Sequence, residues 1–198
     1  VLPIDKVCYQ AQEVAAVIAT DRYSAADGVE LVEVEYEPLP VVVDPHKATD
    51  PDAPIIRDDK EGQTSNHIWH WEEGDKEGTE EVFQNSDVVI KEKIYIPRIH
   101  VASIETCGCV SEFDKANGKL TVWMTTQAPH AIRTVLALVA GHVGLQEDKI
   151  RVISPDIGGG FGGKVPVYPG YVIAIAASVV TGLPIKWIED RRENLQAD

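Results

Sequence analysis

Apolar and polar residues change their spacing several times along the chain, and each change marks an element. Residues 13–19 form a short apolar stretch that predicts a buried strand. Asp21 suits an N-cap, and Ala25, Val29 and Val32 mark the apolar stripe of a helix weakened by Gly28. From Val32 to Tyr36 apolar and acidic residues alternate, the period of a half-buried strand, until Pro38 and Pro40 stop it. Residues 44–66 differ in kind: Pro45, Pro51, Pro54 and several aspartates without periodicity predict a linker or long surface connection. Beyond it, 88–96 has strand character. Residues 107–113 and 120–124 alternate around Asn117-Gly118, a hairpin signal. Pro129 suits a first helical turn, Ile132, Val135, Leu136 and Val139 follow at i, i+3, i+4 and i+7, and Gly141 closes the helix. A strand at 150–153, a glycine loop, an almost wholly apolar helix over 169–181 and a strand at 184–188 complete the pattern. The mixture predicts an α+β fold.

Composition narrows the function. Hydrophobic residues make up 44% of the 198 and charged residues 25%, so a packed core is expected. The net charge of −14 argues against nucleic acid or an anionic membrane as partner, since either requires a basic face. The three cysteines, Cys8, Cys107 and Cys109, supply no disulfide framework and fit a reducing compartment. The longest apolar run, 171–180, is half of the roughly 20 residues that a membrane span needs. Val1 at the start and the charged run before Asp198 suggest a piece cut from a longer chain.

The glycine loop carries most of the chemistry. Gly158, Gly159, Gly160, Gly162 and Gly163 permit close backbone approach and uncommon φ values, and a loop between strand and helix presents free N–H groups to an anion. Gly158-x-Gly160-x-x-Gly163 partly matches a dinucleotide fingerprint, but Pro166 and Pro169 delay the helix past its third glycine. The P-loop pattern fits up to Gly163-Lys164 and fails at Val165, where Ser or Thr would hold magnesium. A turn that merely packs helix on sheet remains a third reading.

Two motifs taken together point further. The segment Asp156 to Lys164 (DIGGGFGGK) resembles the signature loop of the xanthine dehydrogenase and aldehyde oxidase family, the molybdenum hydroxylases. Upstream, Gln127-Ala128-Pro129-His130 resembles the family's glutamine motif. Residues 33–40 (EVEYEPLP) are similar to the end of its small N-terminal α/β domain, and 187–194 (WIEDRREN) to the strand and turn after the loop. The resemblance implies three parts: 1–43, the C-terminal part of a hammerhead-like α/β domain; 44–66, a linker; and 67–198, the first part of a molybdopterin-binding α+β domain. Purine-oxidising members place a substrate-binding glutamate after the loop lysine. Here that residue is Val165, which disfavours a purine.

Segments 104–109 (IETCGC) and 125–130 (TTQAPH) look most like the branch of the family that oxidises CO with water to CO2. That likeness implies molybdenum on molybdopterin cytosine dinucleotide and a copper ion whose cysteine ligand lies beyond Asp198. It implies FAD and a 2Fe–2S cluster on a flavin-binding medium and an iron–sulfur small subunit, in a dimer of heterotrimers. It further implies a cytoplasmic location, associating with the inner face of the cell membrane, and inactivity of residues 1–198 alone.

Within the chain, the resemblance gives Gln127 the catalytic and cofactor-binding role, its amide bonding an oxygen ligand of molybdenum. Gly160, Phe161 and Gly162 would approach the cofactor, with Phe161 screening it from water and Gly159 and Gly163 shaping the turn. On residue type alone, Gln127 could equally satisfy a helix N-terminus, and Phe161 a core. Cys107 and Cys109 read as buried small hydrophobes rather than metal ligands, His67 and His70 make a poor site, and His130 supports the motif. A related hydroxylase acting on an aldehyde or N-heterocycle, or a nucleotide-binding module, stays open.

Overall fold

The computed structural model describes residues 2–58 and 62–197, except the side chains of Val143 and Ala197. The part of the proposed linker at 59–61, and Asp198, lie outside it. By contacts, residues up to Val34 group with those from Ile99 onward, and Glu35–Arg98 forms a second unit.

The first unit is organised by a four-stranded sheet. β1 (Gly108–Asp114) and β2 (Lys119–Met124) form the expected hairpin, with Gly118 at φ 62 in its turn. α3 (Pro129–Ala140) then carries the chain across to β3 (Ile150–Ile153), which pairs parallel with β2. After the glycine loop, α4 (Pro169–Thr181) leads to β4 (Ile185–Ile188), antiparallel to β1. The strand order is β3-β2-β1-β4.

Period-two burial puts Leu120, Val122 and Met124 of β2 in the core with Cys107 and Cys109. Ile132, Leu136 and Ala140 of α3 pack on them, as do Tyr171, Ala174 and Ile175 of α4. The α3 stripe is narrower than its sequence spacing suggests. Val135 and Val139 lie at its margin, 39% and 37% exposed, because the contact follows the i, i+4, i+8 row.

α1 (Arg22–Glu30) starts as expected at Asp21, whose carboxylate accepts from the N–H groups of Tyr23 and Ser24. It ends before Val32. The strands expected at 13–19, 32–36 and 88–96 are not formed: these segments make no strand ladder. Alternation selects the faces of a strand, but a strand also needs a neighbour for its N–H and C=O groups.

Two short helices were not anticipated: α2 (Lys76–Gln84), capped by Asp75, and α5 (Arg191–Ala197). Asp190 begins α5 with a capping box: its Oδ1 accepts from Arg192 and Glu193 N–H while Glu193 Oε2 accepts from Asp190 N–H. In the second unit, Asn66 is tied back to residues 48–56. Asn66 Nδ2 donates to the carbonyls of Ala48 and Pro54, and Asn66 Oδ1 accepts from Ile56 N–H.

Candidate cofactor site

Parallel pairing of β2 with β3 brings their carboxyl ends to one edge of the sheet, where open α/β layers bind ligands. Thr125, Thr126 and Gln127 leave β2 at this edge, and Ser154 leads from β3 toward the glycine loop. Ser154 Oγ donates to Thr126 O at 2.7 Å and stitches the two exits together. The sheet therefore juxtaposes the glutamine motif and the glycine loop.

Lys164 forms the joint between them. Its carbonyl accepts from Gln127 N–H at 3.0 Å and from Thr126 Oγ1 at 3.2 Å. In return, Gln127 Oε1 accepts from the N–H groups of Gly162 and Lys164, at 3.1 and 3.2 Å. Backbone N–H groups only donate, so these two bonds settle which end of the amide faces the loop. The Nε2 end has no hydrogen-bond partner among the described residues, and Gln127 is exposed. The amide is thus held by its acceptor and offers its donors.

The glycines serve this seat. A Cβ on Gly160 would lie 2.4 Å from Gln127 Cδ, so a side chain there would displace the glutamine. Gly162 sits at φ 94, a conformation rare for residues bearing a Cβ, and this aims its N–H at Gln127. Gly160 is buried under Gln127, and the Gly162 N–H is already engaged. Both meet Gln127 directly, a role that the sequence did not reveal. Of the two glycines assigned to turn geometry, Gly159 has φ 96, whereas Gly163 is required for close approach: its Cβ would fall 2.7 Å from a Val101 methyl.

Phe161 is no core aromatic. It is 75% exposed at φ 50, a strained value for a bulky residue. The N–H groups of Gly160 and Phe161 have no acceptor among the described residues. α4 starts only at Pro169, so no glycine of the loop lies in its first turn, as a dinucleotide fingerprint requires.

Sequence reasoning missed Glu105. Its Oε2 accepts from Lys164 Nζ and from Gly158 N–H, both at 2.7 Å. The Lys164 hydrogen bond, helped by Gly158, holds the Glu105 carboxyl below the usual 4.5 against the opposing effect of burial. The pairing spans 59 positions, and nothing local in the sequence announces it. Cys107 and Cys109 are both buried, and burial pushes the Cys109 thiol up to about 12, an inert state. His67 and His70 lie side by side, ring centroids 6.5 Å apart. Among the described residues no three His, Cys, Asp or Glu side chains gather as a metal-holding group.

Residues 59–198 match the molybdopterin cofactor-binding domain model, and residues 1–40 the a/b hammerhead domain of aldehyde oxidase and xanthine dehydrogenase. The chain belongs to the molybdopterin cofactor-binding domain family.

Within that family it is 53% identical to the carbon monoxide dehydrogenase large chain of Hydrogenophaga pseudoflava and 56% identical to that of Afipia carboxidovorans. Each match covers 98% of this chain and 25% of the relative. A crystal structure of a Cu,Mo-CO dehydrogenase in its carbon-monoxide-reduced state superposes with a TM-score of 0.77 at 55% identity, over 89% of this chain and 23% of that one. The chain thus spans about a quarter of the length of these curated relatives. Among the described residues no helix is long and apolar enough to cross a membrane.

Proposed function

We propose that this chain is part of the large subunit of a molybdenum- and copper-dependent oxidoreductase that converts CO and water to CO2. The observation that carries the reading is the Gln127 amide, fixed by its oxygen on the glycine loop with its N–H2 end outward. With the N–H groups of Gly160 and Phe161, it forms a set of donors without acceptors, suited to the oxygen atoms of a molybdenum centre on a pterin. The names of the similar large chains support CO as substrate, and Val165 does not favour a purine.

The residues present fit the group. Gln127 would hold its oxygen ligand, Gly160 and Phe161 would bond it through the backbone, and the Phe161 ring would limit water. Bound there, the cofactor supplies the two-electron redox chemistry. Gln127 contributes a preorganised donor that steadies negative charge, because its carbonyl end cannot turn without breaking two hydrogen bonds. We assign the cofactor its cytosine dinucleotide form. The copper-holding cysteine belongs to a part of the protein outside residues 1–198. FAD and a 2Fe–2S cluster sit on medium and small partner subunits, in a dimer of heterotrimers. The complex is cytoplasmic and associates with the inner face of the membrane. The division into 1–43, 44–66 and 67–198 remains our domain reading.

The test uses the full-length protein, with metal analysis and CO-dependent dye reduction. Gln127→Ala is expected to lower kcat by about 10²–10³, the usual loss on removing one such donor, at unchanged molybdenum content. Residues 1–198 alone should bind no molybdenum and show no turnover. Normal CO oxidation by fully metallated Gln127→Ala would remove the role of Gln127. A molybdenum- and copper-loaded wild type inert toward CO would remove the substrate.

A further inference from the structure

The charged side chain of the glycine loop is almost fully enclosed: Lys164 is 2% exposed. Its ammonium meets Glu105 Oε2, and the same oxygen accepts the Gly158 N–H. The Glu105 N–H returns a bond to Gly158 O at 3.3 Å. One carboxylate oxygen therefore ties the first residue of the loop to its last.

Glu105 is itself braced. Arg191 Nη2 donates to the carbonyls of Ser103 and Ile104, at 2.6 and 2.9 Å, directly before Glu105 in the chain. Glu189 Oε2 accepts from Cys107 N–H at 3.0 Å just after it. The segment that presents the carboxylate is thus pinned on both sides by residues of the WIEDRREN stretch.

We propose that Glu105 is a positioning residue for Gln127, acting through Lys164 by closing the two ends of the glycine loop on one oxygen. The proposal rests on the reading of Gln127 given above. An enclosed ammonium that loses its acceptor is costly, and the loop must move to bring it to water. Lys164 also holds Gln127 by both its N–H and its C=O, so a displaced Lys164 carries the glutamine amide with it. A simpler role, neutralising Lys164 without ordering the loop, makes a different prediction.

The experiment compares Glu105→Ala, Lys164→Met and the double variant in the full-length protein, prepared both with and without cofactor. Hydrogen exchange of the Gly162 and Lys164 amides reads the Gln127 contact directly and needs neither cofactor nor substrate; exchange over residues 108–124 monitors the fold. For Glu105→Ala, exchange at these two amides should rise at least about tenfold while 108–124 stays protected. In the loaded enzyme kcat should fall about tenfold with KM within about twofold. The double variant holds no orphan charge, so its Tm should return to the wild-type value, yet loop exchange should stay fast because the tie is still missing. Wild-type exchange at Gly162 and Lys164 in folded Glu105→Ala overturns the proposal. So does a double variant that regains both slow exchange and full kcat, for Glu105 would then only neutralise Lys164. A protein that shows the exchange changes but oxidises no CO leaves this inference standing and overturns the functional reading alone.

Discussion

Residues 107–188 and the segments 13–36 and 88–96 are written in similar patterns, with different outcomes. In the first, alternating runs close into a sheet whose Leu120 and Val122 are fully buried. In 88–96, apolar residues at strand spacing stay in water: Ile90 is 79% exposed, Ile94 80% and Ile96 80%. The difference is pairing. β1 has a neighbour on either side, supplied by a hairpin and by the return of β4, whereas 88–96 has no ladder partner within the described residues. A sequence pattern thus specifies which face of a segment is apolar, while burial depends on what else is present to cover it.

The largest expected effect tests that contrast directly. In the 198-residue chain, Leu120→Ala should cost about 2–5 kcal/mol by urea denaturation, whereas Ile94→Ala should stay within about 0.5 kcal/mol. Equal losses would show that 88–96 is packed in solution and would erase the distinction.

A finer comparison sets two capped helices against each other. Asp190→Ala and Asp75→Ala each remove acceptors from helix N–H groups, a loss of about 1 kcal/mol. α5 carries the buried Asn194, whose Nδ2 donates to Glu189, so the first variant should lower Tm by about 2–4 °C. α2 has no buried residue, so the second should speed hydrogen exchange within 76–84 and leave Tm alone. A matching fall in Tm for Asp75→Ala would make α2 part of the cooperative structure.

The legibility of the fold divides along the same line. α4 and β3 were readable because Pro169 opens an almost wholly apolar run and residues 150–153 are strand formers bounded by turns. α5 was readable in principle from Asp190-x-x-Glu193, but seven residues offer too little periodicity for its cap to prevail over a turn. α2 is weaker still, with Gly78 and Thr79 inside it. For the site, resemblance supplied Gln127 and the loop, while their contact needed the parallel β2–β3 pairing. Glu105 was illegible because an ion pair across 59 positions leaves no local trace.

The smallest expected effect concerns that pair. The carboxyl of Glu105 titrates below 4.5 when folded, so its stabilisation is fully present above that value and is lost as pH falls through the lower one. The Tm difference between wild type and Glu105→Gln should be constant from about pH 7 to 5 and shrink below about pH 4.5. A difference that persists unchanged into strong acid would show that charge on Glu105 contributes nothing.

The return of β4 to β1 has a consequence for biosynthesis. Gly108 pairs with Ile188, and a ribosome adding roughly 5–20 residues per second takes about 4–16 s to make the chain between them. Throughout that interval the β1 edge of the hairpin has no neighbour, and such an edge recruits strands from other nascent chains. The β1 edge therefore stays open to misassembly until Trp187 and its strand emerge from the ribosome. Slower translation of 115–185 would lengthen that risk without altering any contact in the finished fold.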